Sequence, residues 1–291
     1  MGEIVGVGLI SHAPTIMFDE KTRRELNEGK EISLVSGLVR LRNEVFDRLD
    51  ADTIVIIDSH WETTVEHVLS AHARRKGHLT SSELPRGMAG IPYNYAGDPE
   101  LARLAARLGQ ELGTPTHASE DDYLPVYYAT INLVHYLHGD ESIVSVSVVQ
   151  TGQTEDFMTM GEAIGEAANR LDRRVIVLAS GGMSHTFWPL SEIPKHEASD
   201  PVHIFTPEAR AADEERLRWM EAGEHRRIVE TMDDYMPHNP EGAFGHYLMM
   251  LGAVGGVDCT APGELFSDYE NATGTGQVHV WFERPEVGWT T

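Results

Sequence analysis

Cysteine is nearly absent from this sequence. Cys259 is the one cysteine among 291 residues. A disulfide within the chain is therefore excluded, and so is a zinc or iron–sulfur site built from several cysteines of one chain. Because a disulfide framework is typical of secreted proteins, the low cysteine content favours a cytoplasmic location.

Long hydrophobic runs are also missing. No apolar run in the sequence approaches the roughly 18 residues that a membrane-spanning helix needs. Near the start of the chain, Glu3 stands where a secretory signal would carry basic residues. We therefore expect neither a membrane span nor a cleaved signal peptide.

Basic residues are scarce relative to acidic ones. The chain has 23 Lys and Arg against 46 Asp and Glu, which gives a formal charge of −23. Such a charge repels phosphate backbones and anionic lipid surfaces at long range, so nucleic acid and membrane are excluded as expected partners. An anionic substrate would need a local cation, and individual arginines near a site are therefore of interest.

Short runs of Val and Ile alternate with helical periodicity along the chain. The runs that predict buried strands cover residues 3–10, 53–58, 142–149 and 174–180. The segments that predict helices cover residues 36–49, 99–112, 157–171, 207–222 and 242–254. This alternation predicts an α/β fold with a central, largely parallel or mixed sheet flanked by helices, in a single catalytic domain over residues 1–291. A short strand at 277–282 is expected to close the sheet, and 77–97 and 190–207 are predicted to be loops.

Three predicted strands end in a similar way. The sequence reads VGVGLI before Ser11 and His12, TIVIID before Ser59 and His60, and VIVLASGGM before Ser184 and His185. Because ligands of open α/β sheets bind beyond the carboxyl ends of the strands, we expect the three histidines to converge on one crevice. Imidazole binds transition metals and also exchanges protons near neutral pH, so both roles are open to each histidine.

A carboxylate beside two of these histidines would complete a two-His-one-carboxylate site for Fe(II). Glu241, in HNPEGAFGHY, stands at the start of an apolar helix where it could turn inward. It could equally be a carboxylate stabilised by the dipole of that helix. Glu62, Glu264 and Glu270 are alternatives that the residue pattern leaves open.

Taken together, these motifs resemble the class III extradiol ring-cleavage dioxygenases. The resemblance covers nearly the whole chain and rests on LISHAP, DSHW, ASGGMSH, PEG and GTGQVH. The segment TSSELPRGMAGIPYNYAGDPEL, from Thr80, is similar to the matching segment of 3,4-dihydroxyphenylacetate 2,3-dioxygenases within this superfamily. Dioxygenases of 3-O-methylgallate and related carboxylated catechols share much of the pattern.

The resemblance implies a function and roles for particular residues. It implies that His12, His60 and Glu241 hold Fe(II) and that His185 is the acid/base residue. The expected reaction is extradiol cleavage of a carboxylated catechol by O2 to a muconic semialdehyde-type product. The favoured substrate is 3,4-dihydroxyphenylacetate, with 3-O-methylgallate, gallate and protocatechuate as alternatives. The resemblance also implies a homo-oligomer.

The chain departs from the family pattern in its middle. Members related to the protocatechuate enzyme carry an Asp-His-Gly element there, whereas this chain reads LPVYYATINL. Tyr127 or Tyr128 occupies that neighbourhood, and Tyr128 is our candidate for a catalytic hydroxyl donor. Arg86 is the candidate anchor for a substrate carboxylate, with a solvated surface arginine as the alternative. Asp58 is expected either to fix the tautomer of a ligand histidine or to cap the segment that follows it.

Two functions of other classes remain open at this level. A zinc hydrolase could use His12, His60 and Glu241 as ligands and His185 to assist an activated water. A non-enzymatic relative could keep the fold as a binding module, but the retention of all four residues disfavours that interpretation.

Overall fold

The computed structural model describes residues 2–290. Its strands are β1 (Glu3–Ile10), β2 (Thr53–Thr63), β3 (His67–Ser70), β4 (Arg74–Leu79), β5 (Ile91–Ala96), β6 (Thr116–Ser119), β7 (Ser142–Val149), β8 (Arg174–Ser180), β9 (Gly263–Leu265), β10 (Glu270–Ala272), β11 (Thr275–Gln277) and β12 (His279–Glu283). The α-helices are α1 (Glu20–Leu26), α2 (Ser33–Arg40), α3 (Asp47–Leu49), α4 (Pro99–Glu111), α5 (Tyr128–Leu137), α6 (Thr154–Arg170), α7 (Pro207–Glu221), α8 (His225–Glu230), α9 (Met232–Tyr235) and α10 (Gly245–Gly252).

The main sheet is mixed, with parallel strands at its centre. Its order is β6-β3-β7-β2-β8-β1-β12-β9. β2 pairs in parallel with β7 and β8, and β8 pairs in parallel with β1. β12 runs antiparallel to β1, and β9 runs antiparallel to β12. The predicted α/β fold with a central, largely parallel or mixed sheet is confirmed, although the closing strand begins at His279 rather than at residue 277.

Side chains of the central strands alternate between two hydrophobic cores. On β2, Val55 and Ile57 belong to one cluster, while Ile54 and Ile56 belong to the other. The first cluster includes apolar residues of α4, α6 and α10, and the second includes those of α2 and α5. Because successive residues of a strand point to opposite faces, a strand that is apolar throughout must be covered on both sides.

Helix α4 forms as the sequence predicts. Asp98 caps it by accepting a hydrogen bond from the amide of Leu101 at 3.0 Å, and Pro99 occupies the first helical position. Gly113 follows the helix with φ +96°. This left-handed conformation commonly ends helices, and it is less strained for glycine than for residues with a Cβ. Both ends of this helix could therefore be predicted from the capping residues in the sequence.

The structure departs from the prediction in three places. The stretch 77–97 was expected to be irregular, but β4 and β5 form an antiparallel hairpin that spans residues 74–96. This hairpin lies outside the main sheet, and its strands alternate exposed and partly buried residues, including Arg and Lys, rather than forming an apolar run. Helix α5 was also not predicted, and the helix expected at 36–49 begins earlier, at Ser33, and passes through a π-helical stretch.

The loops at the carboxyl ends of β8 and before α10 are paired with each other. Ser184 and Pro240 form an isolated antiparallel bridge, and the amide of Glu241 donates to the carbonyl of Met183 at 3.0 Å. Helix α10 then packs tightly on α6, because Gly161 lies directly against the backbone carbonyl of Met249. Within residues 2–290, no helix combines the length and apolar character needed to cross a membrane.

We expect Gly161→Ala to destabilise the protein although alanine favours helices. A Cβ at this position would collide with the backbone of Met249 and push α10 away from α6. The expected loss is about 1–3 kcal/mol in the free energy of unfolding, measured by urea denaturation. The control is Glu162→Ala at the neighbouring exposed position, which should change stability by less than about 0.5 kcal/mol. Equal stability of the two variants would contradict the close helix packing.

Candidate metal centre

The turn that carries His12 is held by polar residues from the C-terminal part of the chain. Ser11 Oγ donates to Gln277 Oε1 at 2.5 Å, and the Ser11 amide donates to Nδ1 of His279 at 3.1 Å. Since Nδ1 of His279 accepts, its Nε2 carries the proton, which it donates to the carbonyl of Leu34 at 3.0 Å. The GTGQVH motif therefore positions the end of β1.

The imidazole of His12 is oriented by a serine at the end of β8. Its Nδ1 lies 3.1 Å from Ser180 Oγ, and the Ser180 hydroxyl donates to the carbonyl of Ala129 at 2.9 Å. Because the hydroxyl proton is used there, Ser180 accepts the Nδ1–H of His12. Its Nε2 then faces Glu241, whose Oε1 lies 3.3 Å away.

Asp58 fixes the backbone before His60 and does not contact its ring. Its Oδ1 accepts from the amides of His60 and Trp61 at 3.0 and 2.9 Å. Its Oδ2 accepts from the amide and hydroxyl of Thr130 at 2.9 and 2.7 Å. Of the two roles expected for Asp58, capping is the one observed, and fixing the tautomer of a ligand histidine is not.

The imidazole of His60 lies among three oxygen-bearing side chains. Its Nδ1 is 3.0 Å from Glu83 Oε1, and its Nε2 is 2.7 Å from Tyr128 Oη and 3.3 Å from Glu241 Oε1. Tyr127 instead stacks on Trp61 with a 6.2 Å centroid separation and a 17° interplanar angle. Of the two tyrosines considered, Tyr128 is the one that contacts this cluster.

Glu241 is a buried carboxylate whose two oxygens are separately engaged. Oε2 accepts from the amide of Gly182 at 2.5 Å, and Oε1 accepts from the hydroxyl of Ser59. The turn that follows it has positive φ at Gly242 and at the two residues after it, which turns the backbone sharply before α10. This geometry points the carboxylate inward instead of leaving it at the helix N-terminus in solvent.

His12, His60 and Glu241, hereafter the triad, bring their ligand atoms to one point. Two imidazole nitrogens and one carboxylate oxygen lie within 4.8 Å of one another. Among residues 2–290 this is the one group of at least three such side chains with that spacing. Two neutral imidazoles with one carboxylate suit Fe(II), and the same donors also bind Zn(II). The residues present therefore fit a divalent metal ion.

Electrostatics at the triad favour a positive charge. Burial opposes protonation of His60, but hydrogen bonds and charges of Glu241 and Glu83 raise its pKa to about 10. Burial also penalises the charged form of Glu241, yet the charges of His12 and His185 and hydrogen bonds from the triad imidazoles hold its pKa well below the ordinary value. His60 thus holds its proton strongly when no metal is bound. This indicates that the carboxylates of Glu241 and Glu83 are stabilised by a positive charge at the site, which a metal ion would also supply.

His185 lies beside the triad. Its Nε2 is 3.9 Å from Glu241 Oε2, and its ring centroid is 6.1 Å from that of His60. Its backbone is clamped by Asn239, which accepts from the His185 amide at 3.0 Å and donates to its carbonyl at 2.8 Å. Burial lowers the pKa of His185, so the neutral imidazole is favoured and can accept a proton.

The other predicted site residues lie apart from the triad. Glu62 is exposed and accepts from Gln150, Glu264 is exposed on β9, and Glu270 accepts from the amide of Ser33. Arg86 lies in the loop of the β4–β5 hairpin, is exposed, and has no hydrogen bond or ion pair within residues 2–290. Its role as a substrate anchor stays a prediction, as do the roles of the triad, His185 and Tyr128.

Sequence reasoning missed several residues that orient the triad. Ser59 lies in β2 directly before His60, Ser180 ends β8, and Gly182 follows β8, so the small residues in DSHW and ASGGMSH were the available signal. Glu83 had no comparable signal, because it comes from a hairpin that the sequence pattern did not predict.

Comparisons of this chain with a family model and with two known proteins agree on one enzyme family. Residues 6–283 match the family model of the catalytic LigB subunit of aromatic ring-opening dioxygenase. The chain is 27% identical over 263 residues to 3,4-dihydroxyphenylacetate 2,3-dioxygenase of Escherichia coli, with 88% of this chain and 91% of that protein covered. It is 23% identical over 308 aligned positions to the 2-aminophenol 1,6-dioxygenase beta subunit of a Pseudomonas species, with 99% and 96% covered.

A solved structure supports the fold. The crystal structure of an uncharacterized protein from Escherichia coli K12 aligns with a TM-score of 0.58 and 18% sequence identity, covering 96% of this chain and 99% of that one. The resemblance to class III extradiol dioxygenases that the motifs predicted is confirmed by the family model and by both relatives. Since the family model spans nearly the whole chain, this protein belongs to the family of the catalytic LigB subunit of aromatic ring-opening dioxygenases and is an extradiol dioxygenase.

Proposed function

We propose that this enzyme uses Fe(II), held by the triad, to cleave the ring of a carboxylated catechol with O2. The observation that carries the proposal is that Nε2 of His12 and Nε2 of His60 both lie 3.3 Å from the same oxygen of Glu241. We further propose that residues 1–291 act as a single catalytic domain and that the chain forms a homo-oligomer. Family membership speaks against the zinc hydrolase and the binding module considered above.

The favoured substrate is 3,4-dihydroxyphenylacetate, and the expected product is a muconic semialdehyde. Support comes from the E. coli relative named for that substrate, to which 88% of this chain aligns. The similarity to a 2-aminophenol dioxygenase subunit supports a ring with two adjacent heteroatom substituents. Gallate, 3-O-methylgallate and protocatechuate are the alternatives.

In the proposed mechanism, the side chains beside the triad move protons and orient the substrate. Iron(II), held by His12, His60 and Glu241, would supply the redox and Lewis-acid chemistry that activates a catechol and O2. His185 accepts a proton from a catechol hydroxyl as the substrate binds, and burial lowers its pKa, which leaves the imidazole unprotonated before the substrate arrives. His185 later returns that proton as the ring is cleaved. Tyr128 presents its hydroxyl on the His60 side as a hydrogen-bond donor, and Arg86 pairs with the substrate carboxylate.

Replacement of Glu241 tests the ligand set. Glu241→Ala removes one of three ligands and should sharply weaken Fe(II) binding, measured under anaerobic conditions by competition with a chelator. Glu264→Ala is the matched control, since Glu264 is an exposed carboxylate on β9 and should leave affinity unchanged. Full retention of iron by the Glu241 variant would remove this residue from the ligand set.

Replacement of His185 separates proton transfer from metal binding. His185→Ala should bind Fe(II) normally while kcat falls by about 10²–10⁴-fold, because a positioned acid/base residue contributes on that scale. The control is His135→Ala, at an exposed position of α5. Unchanged turnover in the His185 variant would refute the acid/base role, and loss of iron would make His185 a ligand.

Substrate class is tested by O2 uptake and yellow product after anaerobic loading with Fe(II). We expect turnover of 3,4-dihydroxyphenylacetate and slower turnover of protocatechuate and 3-O-methylgallate.

Arg86→Ala should raise KM for the carboxylated substrate and leave KM for 4-methylcatechol unchanged, because the uncharged catechol has no carboxylate to pair with the arginine. An equal effect on both substrates would exclude Arg86 as the anchor.

A further inference from the structure

The two histidines of the triad have different partners at Nδ1. His12 is oriented by Ser180, a neutral side chain at the end of a core strand. His60 is oriented by Glu83, a carboxylate from the loop between β4 and β5, outside the main sheet. A histidine that binds a metal through one ring nitrogen needs an acceptor at the other, and the strength of that acceptor tunes the ligand.

We propose that Glu83 is the positioning residue of the metal centre, because its carboxylate accepts the Nδ1–H of His60 and keeps Nε2, the nitrogen that would bind the metal, turned toward Glu241. The distances that support this are 3.0 Å from Glu83 Oε1 to His60 Nδ1 and 3.3 Å from His60 Nε2 to Glu241 Oε1. The inference rests on the proposed function, in which His60 binds the iron. It deepens that function by making metal retention depend on the outer hairpin.

Glu83 has a second contact near His60, the hydroxyl of Tyr128. This hydroxyl lies 2.7 Å from Nε2 and 3.2 Å from Nδ1 of His60. The second oxygen of Glu83, Oε2, lies 3.3 Å from the same hydroxyl and can accept its proton. One carboxylate thus accepts the Nδ1–H of His60 through Oε1 and offers Oε2 to the Tyr128 hydroxyl.

The loop that carries Glu83 is well anchored. Ser81 Oγ accepts from the amides of Glu83 and Leu84 at 3.3 and 3.2 Å, and the Ser81 amide donates to the carbonyl of Met88 at 2.9 Å. Met88 is fully buried, and its sulfur accepts from Nδ2 of Asn132. The same nitrogen donates to the carbonyl of His12 at 2.8 Å, which ties the hairpin loop to the first histidine.

Among residues 2–290, Glu83 is the one carboxylate in contact with Nδ1 of His60. Within residues 2–290, no arginine or lysine makes a hydrogen bond or ion pair with the triad, Glu83 or Tyr128. Asp58 is fully committed to backbone amides and to Thr130. The side chain of Glu83 is 52% exposed, so replacing it removes no buried charge from the core.

The test compares Fe(II) affinity of Glu83→Leu and Glu83→Gln under anaerobic conditions, by competition with a chelator. Glu83→Leu removes the acceptor and should weaken binding by about 10–100-fold, the usual effect of losing a partner of a metal-bound histidine. Glu83→Gln should recover most of that affinity, because its amide oxygen also accepts the Nδ1–H. Glu111→Leu, at an exposed position that ends α4, is the control and should bind as the unmodified protein does.

A second measurement reads the hydrogen bond without activity. In the Zn(II)-loaded protein, the NMR signal of the His60 Nδ1–H should be protected from exchange with water. The protection should persist in Glu83→Gln and be lost in Glu83→Leu. A protected signal in Glu83→Leu, affinity of Glu83→Leu equal to that of the control, or affinity of Glu83→Gln as weak as that of Glu83→Leu would each overturn the inference.

His60→Ala, measured in parallel, separates the two levels of the proposal. If this variant loses iron and Glu83→Leu does not, the role of Glu83 is wrong and the metal centre stands. If His60→Ala binds Fe(II) as tightly as the unmodified protein, the metal centre itself is wrong. When Glu83→Leu is added to His60→Ala, it should weaken binding no further, because its effect acts through the imidazole.

Discussion

The buried carboxylate of Glu241 is the constraint on which the functional part of this structure depends. A carboxylate without solvent is costly unless hydrogen bonds and a nearby positive charge compensate it. Ser59 and the amide of Gly182 supply the hydrogen bonds, and the imidazoles of His12 and His60 face the same oxygen. The arrangement favours binding of a proton, and its two imidazoles and one carboxylate are also suitable donors for a divalent metal ion.

The main sheet supplies most of this arrangement. β1, β2 and β8 run in parallel and adjacent, so their carboxyl ends deliver the two histidines and the loop that hydrogen-bonds Glu241 to one place. The pairing of Ser184 with Pro240 then brings the Glu241 turn against the loop that carries His185. The pairing of the parallel strands therefore sets the distance between His12 and His60, and the pairing of the two loops sets the position of the Glu241 carboxylate.

Other parts of the chain complete the site from outside the parallel strands. Tyr128 begins a helix on the second core, and Glu83 comes from the outer hairpin. Arg86 is carried by the same hairpin loop as Glu83 but is exposed and unpaired within residues 2–290. The hairpin thus combines a carboxylate turned toward the triad with a cation turned toward solvent.

By itself, the sequence determined the α/β fold, the ends of α4 and the convergence of His12, His60 and His185, because these follow from local periodicity, capping residues and the rule that parallel strands end at one edge. It also determined the family, through motifs that span nearly the whole chain.

The residue pattern left Glu241, Glu62, Glu264 and Glu270 open, and the family resemblance favoured Glu241. Only the tertiary structure showed that this carboxylate lies beside the histidines. It also decided that Asp58 caps the backbone and that Glu83 contacts His60, which lies 23 positions away in the sequence. Contacts of that kind depend on the path of a weakly patterned hairpin, and no local pattern of residues encodes that path.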